Sequence, residues 1–202
     1  MADKPFWEQT YKNKEVSTFS KGPTKDVCDF HESFKSCSRV LDVGCGEGRN
    51  SIFLAGKGHK VAAFDISEAG IEKAKYKAEA VGANVEFSVS DLGEYKFKHK
   101  YEIILSHGVL HLPEKGIRDD FIRKAQQNTR SGGFNIIGIF TNKRPAAKGL
   151  EAFTKSLFEE GELPDKYKDW DVLSHDEGVF NDEHPVGIKH EHAYERIIAR
   201  KR

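Results

Sequence analysis

Leu41-Asp42-Val43-Gly44-Cys45-Gly46-Glu47-Gly48-Arg49-Asn50 decides the fold. The apolar run from Arg39 to Val43 reads as a buried strand, the alternating glycines as a tight turn, and Arg49 to Gly56 as a helix. Glycines tolerate positive φ and let main-chain N–H groups approach a ligand at a helix N-terminus. A dinucleotide fingerprint, GxGxxG, would put its third glycine at position 49. Arg49 stands there instead, the spacing is GxGxG, and Asp42 precedes the first glycine by two residues. An acid at that point repels a pyrophosphate and suits a ligand bearing ammonium or sulfonium groups. An NAD-dependent oxidoreductase is therefore the less favoured reading.

Working outward, short apolar runs alternate with longer amphipathic ones. Lys60 to Asp65 is a second strand, and Ser67 with Glu68 opens a helix to about Val81. The lysines and glutamates from Ile71 to Val81 are expected to form a solvated face. Asn84 to Val89 and Tyr101 to Ser106 read as strands and Lys115 to Thr129 as a helix; Ser131-Gly132-Gly133 turns the chain into a fifth strand, Phe134 to Phe140. Beyond it, Ala146 to Phe158 is expected to be helical, with Trp170 to His175 and His190 to Ala199 as closing strands. Strands alternating with helices give βαβ units. The fold class is α/β, a Rossmann-like doubly wound sheet of about seven strands, mostly parallel with the last antiparallel. One domain is expected over 1–202: a helical cover over 1–38, a ligand-binding core over 39–141, and a substrate-side insertion with closing strands over 142–202. Phe6, Trp7 and Tyr11 in the cover need a partner surface.

Two further carboxylates, Asp65 and Asp91, follow the second and third strands, each about one βα unit beyond the last. Open α/β sheets bind ligands beyond the carboxyl ends of their strands. A carboxylate after the second strand can accept two hydrogen bonds from a ribose diol, and one after the third can accept from an exocyclic adenine amine.

In combination, D-x-G-x-G-x-G, the acid after strand two, Ser90-Asp91-Leu92 and Arg130-Ser131-Gly132-Gly133 resemble the class I S-adenosylmethionine-dependent methyltransferases over roughly Arg39 to Phe140. LDVGCGEGRNSIFLAGKGHKVAAFD, YEIILSHGVLHL, Phe158 to Leu163 with Tyr167 and Trp170, and the ending Ile197 to Lys201 resemble more narrowly the tellurite-resistance (TehB-like) methyltransferases. After Phe158 the chain also departs from that family. Its His-Arg stretch before the last strand has no clear counterpart, and His184-Pro185 and His190-Glu191-His192 stand in that area. The resemblance implies S-adenosyl-L-methionine as cofactor, with S-adenosyl-L-homocysteine as product. It implies that Asp42 and Gly44, Cys45, Gly46 and Gly48, with Asn50, serve the methionine half. Asp65 with Ile66 would take the ribose, Asp91 and Leu92 the adenine, and Ser106 and His107 the methionine side.

Composition narrows the acceptor. Lys and Arg total 32 and Asp and Glu total 32, a net charge of zero. Affinity from a basic face on nucleic acid is thereby disfavoured, as is a polybasic membrane binder. No apolar run approaches the length of a membrane span. Strand four ends Ser106-His107-Gly108-Val109 and not in the acid-Pro-Pro-aromatic of exocyclic-amine methylases; no proline precedes a cysteine, as cytosine C5 methylases require. A small-molecule acceptor remains, with tellurite, selenium or thiol-like compounds as the candidates and oligomeric state left open. A soft ionised nucleophile needs no general base; an oxygen or amine acceptor does. His107, with His111 near it, and the strand neighbours His190 and His192 are the candidate catalytic groups. No metal is expected, although His184, His190 and His192 have a conceivable ligand geometry. The alternative to an enzyme is a sensor or inert paralogue that binds the cofactor without turnover. Cys28, Cys37 and Cys45 are odd in number and lack a CxxC pair, which with the absence of a signal-peptide pattern points to the cytoplasm.

Overall fold

The structure is a computed structural model that describes residues 5–19, 22–147, 149–183 and 189–202, with the side chains at 183, 189 and 190 left out. The chain divides into two compact units, Met1–Tyr95 and Lys96–Arg202.

In the first unit, β1 (Arg39–Val43), β2 (Lys60–Asp65) and β3 (Val85–Val89) pair in parallel in the order β3-β2-β1. Val40, Leu41 and Val43 are buried, so this strand reads as a nearly continuous apolar run, as parallel strands covered on both faces do. Between the strands lie α3 (Arg49–Gly56) and α4 (Glu68–Ala80), where sequence periodicity places them. Ser67 Oγ accepts from Gly70 N at 3.0 Å and caps α4. The N-terminal segment forms α1 (Phe6–Lys12) and α2 (Lys25–Phe30), with a 3-10 turn over His31–Ser33.

In the second unit the order is β4 (Tyr101–His107), β5 (Thr129–Phe140), β7 (Lys189–Arg200), β6 (Asp171–Glu183). Strand β4 runs parallel to β5, and β7 lies antiparallel to both β5 and β6, so the last strand alone reverses direction. Helix α5 (Lys115–Asn128) precedes β5, and the short α6 (Glu162–Lys166) precedes β6. Seven strands with this pairing are the Rossmann-like mixed sheet expected from the sequence. Among the described residues, no helix is long and apolar enough to cross a membrane.

Several expectations about local structure are corrected, among them the end of β6, which runs past His175 to Glu183. Ala146 to Phe158 is not a helix among its described residues but a series of turns. Gly149 sits at φ +85°, and Lys155 N and Ser156 N donate to Leu112 O and His111 O, so these N–H groups leave the helical register for the loop after β4. Strand β5 begins at Thr129, not Phe134: Ser131-Gly132-Gly133 lies within it, and the register shifts opposite Tyr101 and Ile103. A Cβ at Gly133 would stand 2.6 Å from Glu102 O, which only glycine avoids. Finally, Lys73 is not part of a solvated face but is wholly buried.

Candidate functional site

Gly44, Gly46 and Gly48 have φ of +65°, +52° and +81°. These left-handed values are the conformation in which side-chain-bearing residues are strained, which explains the alternating glycines. Cys45 N bonds Phe64 O at 3.0 Å, tying the loop to β2, and Gly48 is the N-cap of α3. Asp65, at the end of β2, reaches back to this loop. Its Oδ2 accepts from Gly46 N and its Oδ1 from Ser67 N, each at 2.8 Å. Burial raises the pKa of this carboxyl, against the lowering effect of those N–H donors. The Ile66 N–H also bonds this carboxyl, and part of the roughly four lone-pair sites of a carboxylate remains for another partner. Ile66, beside it, is exposed.

The other two acids differ. Asp42 is buried near the end of β1, and its Oδ2 accepts from Ser51 Oγ of α3. Asp91 lies two residues past β3; Oδ1 accepts from Gly93 N at 2.7 Å and so fixes its own turn. Ser90 N donates to Asp65 O at 2.9 Å, which brings the ends of β2 and β3 together. Leu92 is buried, and Asn50 Oδ1 accepts from Thr24 N at 2.8 Å, anchoring the N-terminal segment to α3. Burial and the nearby Asp42 and Asp65 push the Cys45 thiol well above its ordinary pKa, which disfavours the thiolate form.

Two features of this unit escape sequence reasoning. Tyr11 of α1 lies over the loop: a Cβ on Gly46 would stand 2.5 Å from Tyr11 Oη, and one on Gly70 would stand 3.1 Å from its ring. The aromatic Phe6-Trp7-Tyr11 run signalled a partner surface, and for Tyr11 that surface is the glycine loop with the start of α4. Glu47, between the glycines, is buried beside Lys73 at 2.7 Å and Lys77 at 3.2 Å, and accepts from Thr18 N at 3.1 Å. Lys73 also donates to Thr10 O and Val16 O. Glycine loop, α4 and N-terminal segment thus share one polar cluster.

In the second unit, Ser106 and His107 end β4 as expected. The His107 ring packs over Gly138, where a Cβ would stand 3.1 Å from His107 Cδ2. His192 of β7 is buried and stacks on Phe140 with centroids 3.9 Å apart. On the same Phe140 lies His111 at 4.5 Å, and Phe180 closes against His192 at 5.5 Å. Burial, with the nearby His192 and Arg118, lowers His111 to a pKa of about 3, so it is neutral at physiological pH. His190 lies in β7 opposite Asp182, its side chain outside the described residues, as is His184 with Pro185.

The family model for tellurite resistance protein TehB matches residues 5–189. A Haemophilus influenzae (strain 10810) protein named "Probable S-adenosyl-L-methionine-dependent methyltransferase TehB" is 31% identical over 156 residues, covering 76% of this chain and 53% of that protein. The crystal structure of TehB from Haemophilus influenzae superposes with a TM-score of 0.80 at 25% identity, over 91% of this chain and 64% of that one. A Burkholderia thailandensis 1,6-didemethyltoxoflavin-N1-methyltransferase with bound S-adenosylhomocysteine shares the fold, with a TM-score of 0.64 at 21% identity over 87% of this chain and 76% of that one. The chain spans about half the length of the curated relative it matches.

Proposed function

The chain belongs to the tellurite resistance protein TehB family, and from that premise we propose that it is an S-adenosyl-L-methionine-dependent methyltransferase acting on a small molecule. The observation that carries the reading is the glycine loop itself: three left-handed glycines, with Gly46 N tied to a carboxylate that keeps acceptor capacity. The residues fit the cofactor. Gly44, Gly46 and Gly48 give the left-handed turn that lets main-chain groups approach a ligand, Asp65 offers lone pairs to a ribose diol, Asp42 adds negative charge suited to an ammonium and a sulfonium, and Asp91 can accept from an adenine amine. Leu92 and Ile66 supply apolar surface for a base.

S-adenosyl-L-methionine supplies an electrophilic methyl group on a sulfonium. The chain's own task is to align and desolvate the reactants. We assign cofactor recognition to the loop residues above, with Ser106 and His107 on the methionine side, and the chemistry at the acceptor to His107, His190 and His192. His111 is too acidic as an imidazolium to accept a proton usefully near neutral pH, so an acceptor that needs a general base depends on His107, His190 or His192. A soft chalcogen or thiolate acceptor dispenses with that base, and tellurite, selenium and thiol-like compounds are the acceptors we favour. Three free cysteines, two of them exposed, agree with a reducing compartment such as the cytoplasm.

The test is incubation with methyl-labelled S-adenosyl-L-methionine and a panel of selenite, tellurite, thiols, small amines and small acids. Volatile labelled products from the chalcogens are expected. Cofactor binding with turnover of no acceptor would replace the enzyme by a sensor, and tight NAD binding without S-adenosyl-L-methionine binding would overturn the reading.

A further inference from the structure

We propose that His175, Glu177 and Glu195 form a binding site for one divalent transition-metal ion of the zinc class on the β6–β7 ribbon. Glu177 and Glu195 stand directly opposite each other in the antiparallel ladder, and His175 is two residues from Glu177 on the same face. One ligand atom from each of the three lies within 4.8 Å of the other two. Two carboxylates facing each other across a ladder repel, and burial sharpens that cost. Here Glu195 is only 1% exposed. Its Oε1 accepts from Gly161 N, whereas Oε2 is buried with no hydrogen-bond partner among the described residues. Lys143, which interacts electrostatically with Glu177, is itself paired with Glu160 at 2.6 Å. A cation between the three side chains would satisfy Oε2 and cancel the repulsion.

An imidazole with carboxylates is a donor set that zinc accepts, leaving a fourth position for water. Tetrahedral bonds of about 2.1 Å put ligand atoms about 3.4 Å apart. His175 and Glu177 are both exposed and can turn to close from the separations present. None of the three residues takes part in the proposed methyl transfer, so the two readings stand or fall separately.

The full chain is stripped with a chelator, desalted and titrated with Co²⁺, then with Zn²⁺ by calorimetry. Expected are intense visible cobalt bands of a low-coordinate site, displaced by zinc, at one ion per chain. Affinity should fall about tenfold or more in His175→Ala and in Glu195→Gln. His175 is exposed, so its variant tests ligation without endangering the fold. Zinc should raise the melting midpoint of the wild type and not that of His175→Ala. Absence of both the cobalt bands and a zinc heat in the wild type would overturn the proposal. So would unchanged affinity in either variant, since the ion would then sit elsewhere.

Discussion

Nζ of Lys73 lies 2.7 Å from Oε2 of Glu47, with both side chains withdrawn from water. Lys73→Met leaves the buried Glu47 carboxylate with the partly exposed Lys77 at 3.2 Å as its remaining cation, so it should cost up to about 3 kcal/mol in denaturant unfolding. The double variant Lys73→Met/Glu47→Gln should recover part of that loss. Burial pushes the Glu47 carboxyl up, but Lys73 and Lys77 outweigh it and hold the pKa below 4.5. A group held low contributes stability that is present above its unfolded value and lost as pH falls through the folded one. Glu47→Gln should therefore flatten the acid limb of a stability–pH curve below about pH 4.5.

His111 makes a separate pH signature. Its folded pKa of about 3 lies below the ordinary 6.5. Between those values the unfolded chain binds the extra proton, so stability falls as pH is lowered through that window, by at most about 1.4 kcal/mol per pH unit. His111→Leu should remove that part of the slope in denaturant unfolding at stepped pH. An unchanged slope would mean that His111 is protonated in the fold.

Asp65→Ala should weaken S-adenosyl-L-homocysteine binding by about 1–3 kcal/mol, measured by calorimetry. A parallel melt separates this from the loss of the Gly46 and Ser67 hydrogen bonds. Full affinity with a lowered melting point would reduce Asp65 to a residue that only shapes the turn.

Gly133→Ala should destabilise by about 1–3 kcal/mol, because its methyl group would meet the backbone oxygen of Glu102. Gly116→Ala in α5 is the control. Nothing lies within 4 Å of the added carbon, and it should stabilise by about 0.5–1 kcal/mol through helix propensity. Thermal or denaturant unfolding of both variants checks the contrast.

The first unit was largely legible because its signals are local: buried apolar strands, a glycine turn and the Ser67 cap lie within a few residues of one another. Lys73 was not. Its partners Glu47, Thr10 and Val16 are far away in sequence, and a lysine among helical glutamates otherwise belongs in water. Ala146 to Phe158 misled for a related reason: its apolar residues are real, but Phe158 is buried by pairing with Phe140 and Thr141 at the end of β5, and Lys155 and Ser156 bond back to residues 112 and 111. Strand β6 was expected only to His175. Its continuation, Asp176-Glu177-Gly178-Val179-Phe180-Asn181, faces little core and so carries no alternation of apolar and polar residues. Of the expected site residues, those around the loop could be placed from spacing. The His111–Phe140–His192 stack could not, because strand pairing assembles it.

Strand β6 has a practical consequence for handling the protein. Its thirteen residues pair with β7 alone among the described residues, so a long row of backbone groups faces solvent beside exposed Val172, Leu173 and Val179. Such a margin is a template for another chain, and acidic side chains along it are what discourage docking. With an isoelectric point near 7.1, copies at neutral pH have no overall charge to hold them apart. Asp171 is paired with Arg200 and Arg202, so colloidal behaviour rests on Asp176 and Glu177, and light scattering should show most self-association near neutrality and less in mildly alkaline buffer.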